Sequence, residues 1–158
     1  MDQELLLLFD ESIQLESNVA DLYVIFQDAF PEDADFWKTL IIEERNHADL
    51  LKSGKEHFAP VDTFPVDMLS TALEELKDAN TALFRLMSQY QENPPSRETA
   101  FNMALRIEQS AGEIHFQKFM QKKADSHYAD LFQRINGYYI DHEKRIRLYM
   151  KNHAIKVD

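Results

Sequence analysis

Glu44 and His47 stand three residues apart in the run Glu44-Arg45-Asn46-His47. On a helix that spacing places a carboxylate and an imidazole on one face, about one turn apart, so both can point at one cation. Carboxylate with imidazole suits iron, manganese or zinc. Phe36, Leu40, Glu44, His47 and Leu51 form one continuous stripe, and the apolar members above and below put the two polar groups on the buried side. A buried glutamate is costly unless something answers its charge, and metal coordination is one such answer. Glu43 projects elsewhere and is expected at the solvent.

Related groups recur elsewhere at related phases. Ser12, Glu16, Val19 or Ala20, and Tyr23 share a face flanked by Leu8 and Phe26. Ala104, Glu108, Gly112 and His115 repeat that pattern: a glutamate, a small residue four later, a ring seven later. The match stops one turn on, where Lys118 falls opposite Phe26. Leu131, Ile135, Tyr139, His142 and Ile146 can be laid on Phe36, Leu40, Glu44, His47 and Leu51. The histidine is kept, while Tyr139 replaces the glutamate. The two halves read as an imperfect internal repeat.

Holding such groups at one place requires long elements, and the chain is composed for them. Its 158 residues contain only 3 Gly and 5 Pro, so turns are few and helices long. Punctuation predicts a first helix from about Asp2 to Ala29, closed by Phe30-Pro31, and a second from about Asp33 to Phe58, with Asp33 or Asp35 near its start. A third is expected over about 67–91, where Met68, Leu69, Ala72, Leu73, Leu76, Ala79, Leu83, Leu86 and Met87 keep a helical period. Asn93-Pro94-Pro95-Ser96 breaks the chain, with Ser96 as the N-cap of a fourth helix from about Arg97 to Lys123. Asp125-Ser126 caps a fifth, from about His127 to Asn152. Short turns make antiparallel hairpins of about 2–58 and 97–152, and the third helix carries the chain between them.

A glutamate from each of two helices and Glu-x-x-His from each of two others is the ligand set of the ferritin-like di-iron carboxylate proteins. On Glu16 with Tyr23, Glu44-x-x-His47, Glu108 and His142, the chain resembles the rubrerythrin-like branch of that superfamily. The resemblance covers both hairpins. It implies an all-α fold, a ferritin-like antiparallel four-helix bundle with an additional long connecting helix, in a single domain over 1–158. It implies Glu16, Glu44, His47, Glu108 and His142 as metal ligands. Tyr139 stands where the family has a bridging glutamate. A phenol ionises near pH 10 (about 10), so Tyr139 either binds Fe(III) as phenolate or donates a hydrogen bond to a ligand. Three carboxylates with two neutral histidines leave a charge that two divalent ions slightly overcompensate and one leaves unbalanced. One iron, or two unequal ones, is therefore expected, with zinc or manganese as alternatives.

His115, one repeat beyond Glu108, and Tyr23 are expected beside the ligands, or simply packed in the core. Glu113 lies five residues from Glu108, off its face, and is expected as a surface charge. His57, His127 and His153 fall near helix ends and read as surface residues. The absence of Cys excludes disulfides, thiolate sites and Cys-ligated iron–sulfur clusters within the chain. A net charge of −11 disfavours nucleic acid, and Leu5-Leu6-Leu7-Leu8-Phe9 is too short to span a membrane. A cytoplasmic location is expected. The resemblance implies an oxidoreductase acting on peroxide, O2 or Fe(II), with an external electron donor and a homodimeric assembly. The alternative is a helical bundle with a degenerate site, serving as a non-catalytic metal-binding or interaction protein.

Overall fold

The computed structural model describes residues 1–136 and 141–158. Among them every regular element is helical and none is a strand. No helix among them is long and apolar enough to cross a membrane. Helix α1 spans Gln3–Ala29, opened by Asp2, whose carboxylate accepts from the Glu4 amide at 3.3 Å. A single turn, Pro31–Asp33, leads to α2, Ala34–Ser53. Contacts run in opposite directions along the two helices: Asp10 with Lys55, Glu16 with His47, Tyr23 with Trp37, Gln27 with Ala34. They are therefore antiparallel.

The chain leaves α2 through a π-type turn, Gly54–Phe58, and a 3-10 turn, Ala59–Val61. Gly54 has no room for a side chain, because a Cβ there would stand 2.5 Å from the Phe64 ring. Helix α3 spans Leu73–Glu92, shorter than the sequence suggests. Met68 and Leu69 are buried as expected, but from a separate 3-10 turn, Val66–Met68, and the residue after it. Asn18 meets Asn80 and Phe26 meets Tyr90, so α3 runs parallel to α1. A helix of twenty residues spans about 30 Å, which returns the chain to the end where α2 began.

The next four helices are α4 (Arg97–Glu108), α5 (Ala111–Gln121), α6 (His127–Ile135) and α7 (His142–Asn152). Ser96 and Ser126 cap α4 and α6, accepting from the Thr99 and Ala129 amides at 3.1 and 3.0 Å. The two continuous helices expected here are thus each divided. The first division has a clear backbone cause. Gln109 leaves the helix at φ −92, ψ 1, and Ser110 is extended at φ −70, ψ 160 before α5 restarts. Ile135, expected on the buried stripe, is exposed at the end of α6.

Arg97 reaches Asp33 and Phe101 packs on Trp37, so α4 runs parallel to α2. Tyr149 packs on both Phe36 and Phe101, while His142 meets Glu44 and Glu108. Helix α7 is therefore antiparallel to both. One end of the assembly is fastened by Asp33, which is buried. The Arg97 guanidinium grips it at 2.7 and 2.5 Å, and the Tyr149 hydroxyl donates to it at 2.7 Å. Burial opposes its charge, but Arg97 and Tyr149 outweigh that and hold the carboxyl below its usual range. An aromatic layer of Tyr23, Phe26, Trp37 and Phe101, all fully buried, separates this end from the acidic residues deeper along the helices.

Candidate metal centre

Glu16 on α1, Glu44 and His47 on α2, Glu108 at the end of α4 and His142 at the start of α7 converge in the interior, each at most 6% exposed. The His47 Nδ1 lies 3.7 Å from both Glu16 Oε2 and Glu44 Oε2. The His142 Nδ1 lies 2.8 Å from Glu44 Oε1 and 3.4 Å from Glu108 Oε1. The imidazole rings are near-parallel, with centroids 5.9 Å apart. The donors form two groups, each with its ligand atoms within 4.8 Å of one another: Glu16, Glu44 and His47; and Glu44, Glu108, Glu113 and His142. Glu44 belongs to both.

Glu113 is the correction. It is fully buried in the second group, where a surface charge was expected. Counting five residues at a constant 3.6 per turn fails because the backbone leaves the helix at Gln109 and Ser110. The restart re-aims the first turn of α5 toward Glu108. A usable signal was present: Ser110-Ala111-Gly112-Glu113 is a Ser-x-x-Glu run of the kind that opens helices. Here the glutamate is not used for capping. Both its carboxylate oxygens are buried and take no hydrogen bond among the described residues.

Glu43 is the second correction. It is half-buried, not at the solvent. Arg145 Nη1 donates to its two oxygens at 2.8 and 2.6 Å, and its Oε2 lies 3.3 Å from His142 Nε2. The histidine is thus flanked on one ring nitrogen by the cluster and on the other by a carboxylate. That arrangement fixes the tautomer presenting Nδ1 to a metal. Spacing along α2 carries no information about α7, whose Arg145 and His142 cover the Glu43 side. Tyr23 is buried, and its hydroxyl donates to Glu108 Oε1 at 2.7 Å. His115 is half-buried and belongs to neither group; burial and Lys118 lower its pKa. Tyr139 lies outside the described residues.

The electrostatics are those of an acidic site closed to water. Burial, then the charge of Glu44, pushes the Glu16 carboxyl up to about 8. Burial and the Glu16, Glu44 and Glu108 carboxylates push Glu113 well above the usual range. Burial and Glu44 likewise raise Glu108, against His142 and the Tyr23 hydroxyl. Burial also opposes charge on Glu44, but His142 and His47 hold it well below the usual value. Burial lowers His47, yet Glu16 and Glu44 prevail and raise it to about 9. His142 is raised well above its ordinary value in the same way, by Glu44 and Glu108. Positive charge is what this cavity calls for. The buried oxygens of Glu16, Glu44, Glu108 and Glu113 without hydrogen bonds among the described residues fit a bound cation. These Glu and His groups can hold a metal ion.

No family of known proteins, no curated protein and no solved structure matches the chain.

Proposed function

We propose that the chain is a two-metal carboxylate protein of the ferritin-like, rubrerythrin-like kind, that its metal is iron, and that it reduces peroxide or oxidises Fe(II). The observation carrying this reading is the pair of ligand groups meeting at Glu44. Four carboxylates, with Glu113 supplying the one absent at Tyr139, match the charge of two divalent cations when both histidines are neutral. The helix order supports the fold assignment. Two antiparallel pairs joined by one long crossover, with α2 and α4 parallel, is the plan of ferritin-like bundles.

Glu16, Glu44 and His47 would hold one ion, and Glu44, Glu108, Glu113 and His142 the other. Iron bound there would supply the redox change between Fe(II) and Fe(III). The chain's own groups bind and orient. Arg145 fixes Glu43, Glu43 holds the His142 ring, and Tyr23 aims Glu108. Phe116 covers His47 at 4.6 Å and, with the aromatic layer, keeps bulk water out. Electrons come from outside, since the chain has no Cys for an iron–sulfur partner of its own.

Anaerobic Fe(II) titration with elemental analysis should give two ions per chain, and added peroxide should oxidise them stoichiometrically. Glu44→Ala should abolish binding of both. Tight zinc with no response of the Fe(II) form to peroxide would favour a metal-binding protein without turnover. Absence of any metal, unaffected by Glu44→Ala, would leave a helical interaction module.

A further inference from the structure

A line of aromatic rings connects the metal-centre end of Tyr23 with the surface. Tyr23, which donates to Glu108, lies 5.3 Å from Trp37, centroid to centroid. Trp37 lies 4.6 Å from Phe101 and 5.4 Å from Phe36. Both phenylalanines pack on Tyr149, at 5.4 and 4.1 Å, and Tyr149 stacks on the exposed His153 at 3.8 Å. Two parallel bridges therefore join the one tryptophan of the chain to a half-buried tyrosine at the rim.

The polar ends of these rings differ in a way that packing does not require. Each tyrosine hydroxyl donates at 2.7 Å to a buried carboxylate: Tyr23 to Glu108, Tyr149 to Asp33. Trp37 is fully buried, and its indole N–H has no hydrogen-bond partner among the described residues. A tyrosine that loses an electron must also shed its proton, and here each has an acceptor in place. An oxidised Trp37 has none, so it can pass charge on but not retain it.

We propose that Tyr23, Trp37 and Tyr149 form a one-electron relay between the metal centre and the surface, with the Tyr149–His153 face as the place where a small one-electron donor delivers. The proposal rests on the metal reading above. Peroxide takes two electrons and two protons to become two waters. Where the centre has one Fe(II) electron to give, the second comes from Tyr149 by way of Trp37 and Tyr23. The phenolic proton of Tyr149 passes to Asp33 and stays there, leaving a neutral tyrosyl radical; both protons that peroxide takes come from water. A surface donor then returns one electron, and Asp33 returns the proton. The oxidising equivalent is thereby led away from the ligand carboxylates and imidazoles.

The relay is testable in metal-free protein. Laser photoionisation of Trp37 should give a tryptophan radical whose absorbance is replaced by that of a tyrosyl at a rate independent of protein concentration. Tyr149→Phe should remove the part of that transfer directed to the rim, and Tyr23→Phe combined with Tyr149→Phe should leave the tryptophan radical long-lived. Asp33→Asn should impair transfer to Tyr149 although the ring remains. A tyrosyl yield unchanged in the double variant, with folding verified by circular dichroism, would overturn the relay. In a second arm, protein loaded with one Fe(II) and treated with peroxide should show a tyrosyl electron-paramagnetic signal whose hyperfine pattern changes in Tyr149→Phe and which is lost when Tyr23→Phe is added. If the photoionisation result holds but no iron binds, the metal reading fails and the relay stands. If iron binds and reacts but Trp37 transfers nothing, the relay fails alone.

Discussion

Glu113 and Glu43 show how much the site depends on residues a helical count misplaces. Glu113 reaches the cluster only because the backbone is extended at Ser110. Glu113→Gln should lower the iron stoichiometry from two toward one, measured by elemental analysis of protein loaded anaerobically. In metal-free protein the same change should be stabilising in urea unfolding, because a buried carboxylate among others is then replaced by a neutral amide. A structural glutamate would give the opposite pair of results. Glu43→Ala leaves every candidate ligand in place but removes the carboxylate beside His142 Nε2. It should weaken metal binding by roughly 10–100-fold, seen as a shifted Fe(II) titration with unchanged stoichiometry.

Among the elements, two fastenings set how the helices meet. Asp33 joins α2, α4 and α7 through Arg97 and Tyr149. Asp33→Asn should cost about 2 kcal/mol at neutral pH, measured by urea denaturation. The folded carboxyl ionises below its unfolded value, so its contribution is present above the unfolded pKa and is lost as pH falls through the folded one. The gap between wild type and Asp33→Asn should accordingly narrow from pH 6 to pH 3. A gap that widened in acid would contradict the assignment. At the other end, Phe64 packs against Phe9 and Phe132 and lies over Gly54. The Gly54 backbone, at φ −57, suits any residue, so the constraint is space alone. Gly54→Ala should destabilise by about 1–3 kcal/mol, and Phe64→Leu in the same chain should recover part of that. The sequence marked neither fastening, because each joins residues distant along the chain.

Across the whole molecule, the groups able to hold a metal come from α1, α2, α4, α5 and α7, so a metal bound there would tie the first hairpin to the second. Adding Fe(II) at a hundred times its Kd should raise unfolding free energy by about 2.7 kcal/mol per site, and a chelator should reverse the rise in Tm. A Tm insensitive to both would mean that the cluster is a buried acidic network and nothing more. The helical class, the turns at Pro31 and Asn93–Ser96, and the inward phase of Glu16, Glu44 and His47 were legible in the sequence, while the meeting of these three with Glu108 and His142 was implied only by the family resemblance. Helix periodicity, breakers and caps are local, and within an unbroken helix phase carries from one turn to the next. The division between Glu108 and Ala111, the burial of Glu113, the carboxylate behind His142 and the path of rings to Tyr149 were decided by tertiary structure. Each depends on a backbone break or on which neighbouring helix covers a given side, and neither is a property of local spacing.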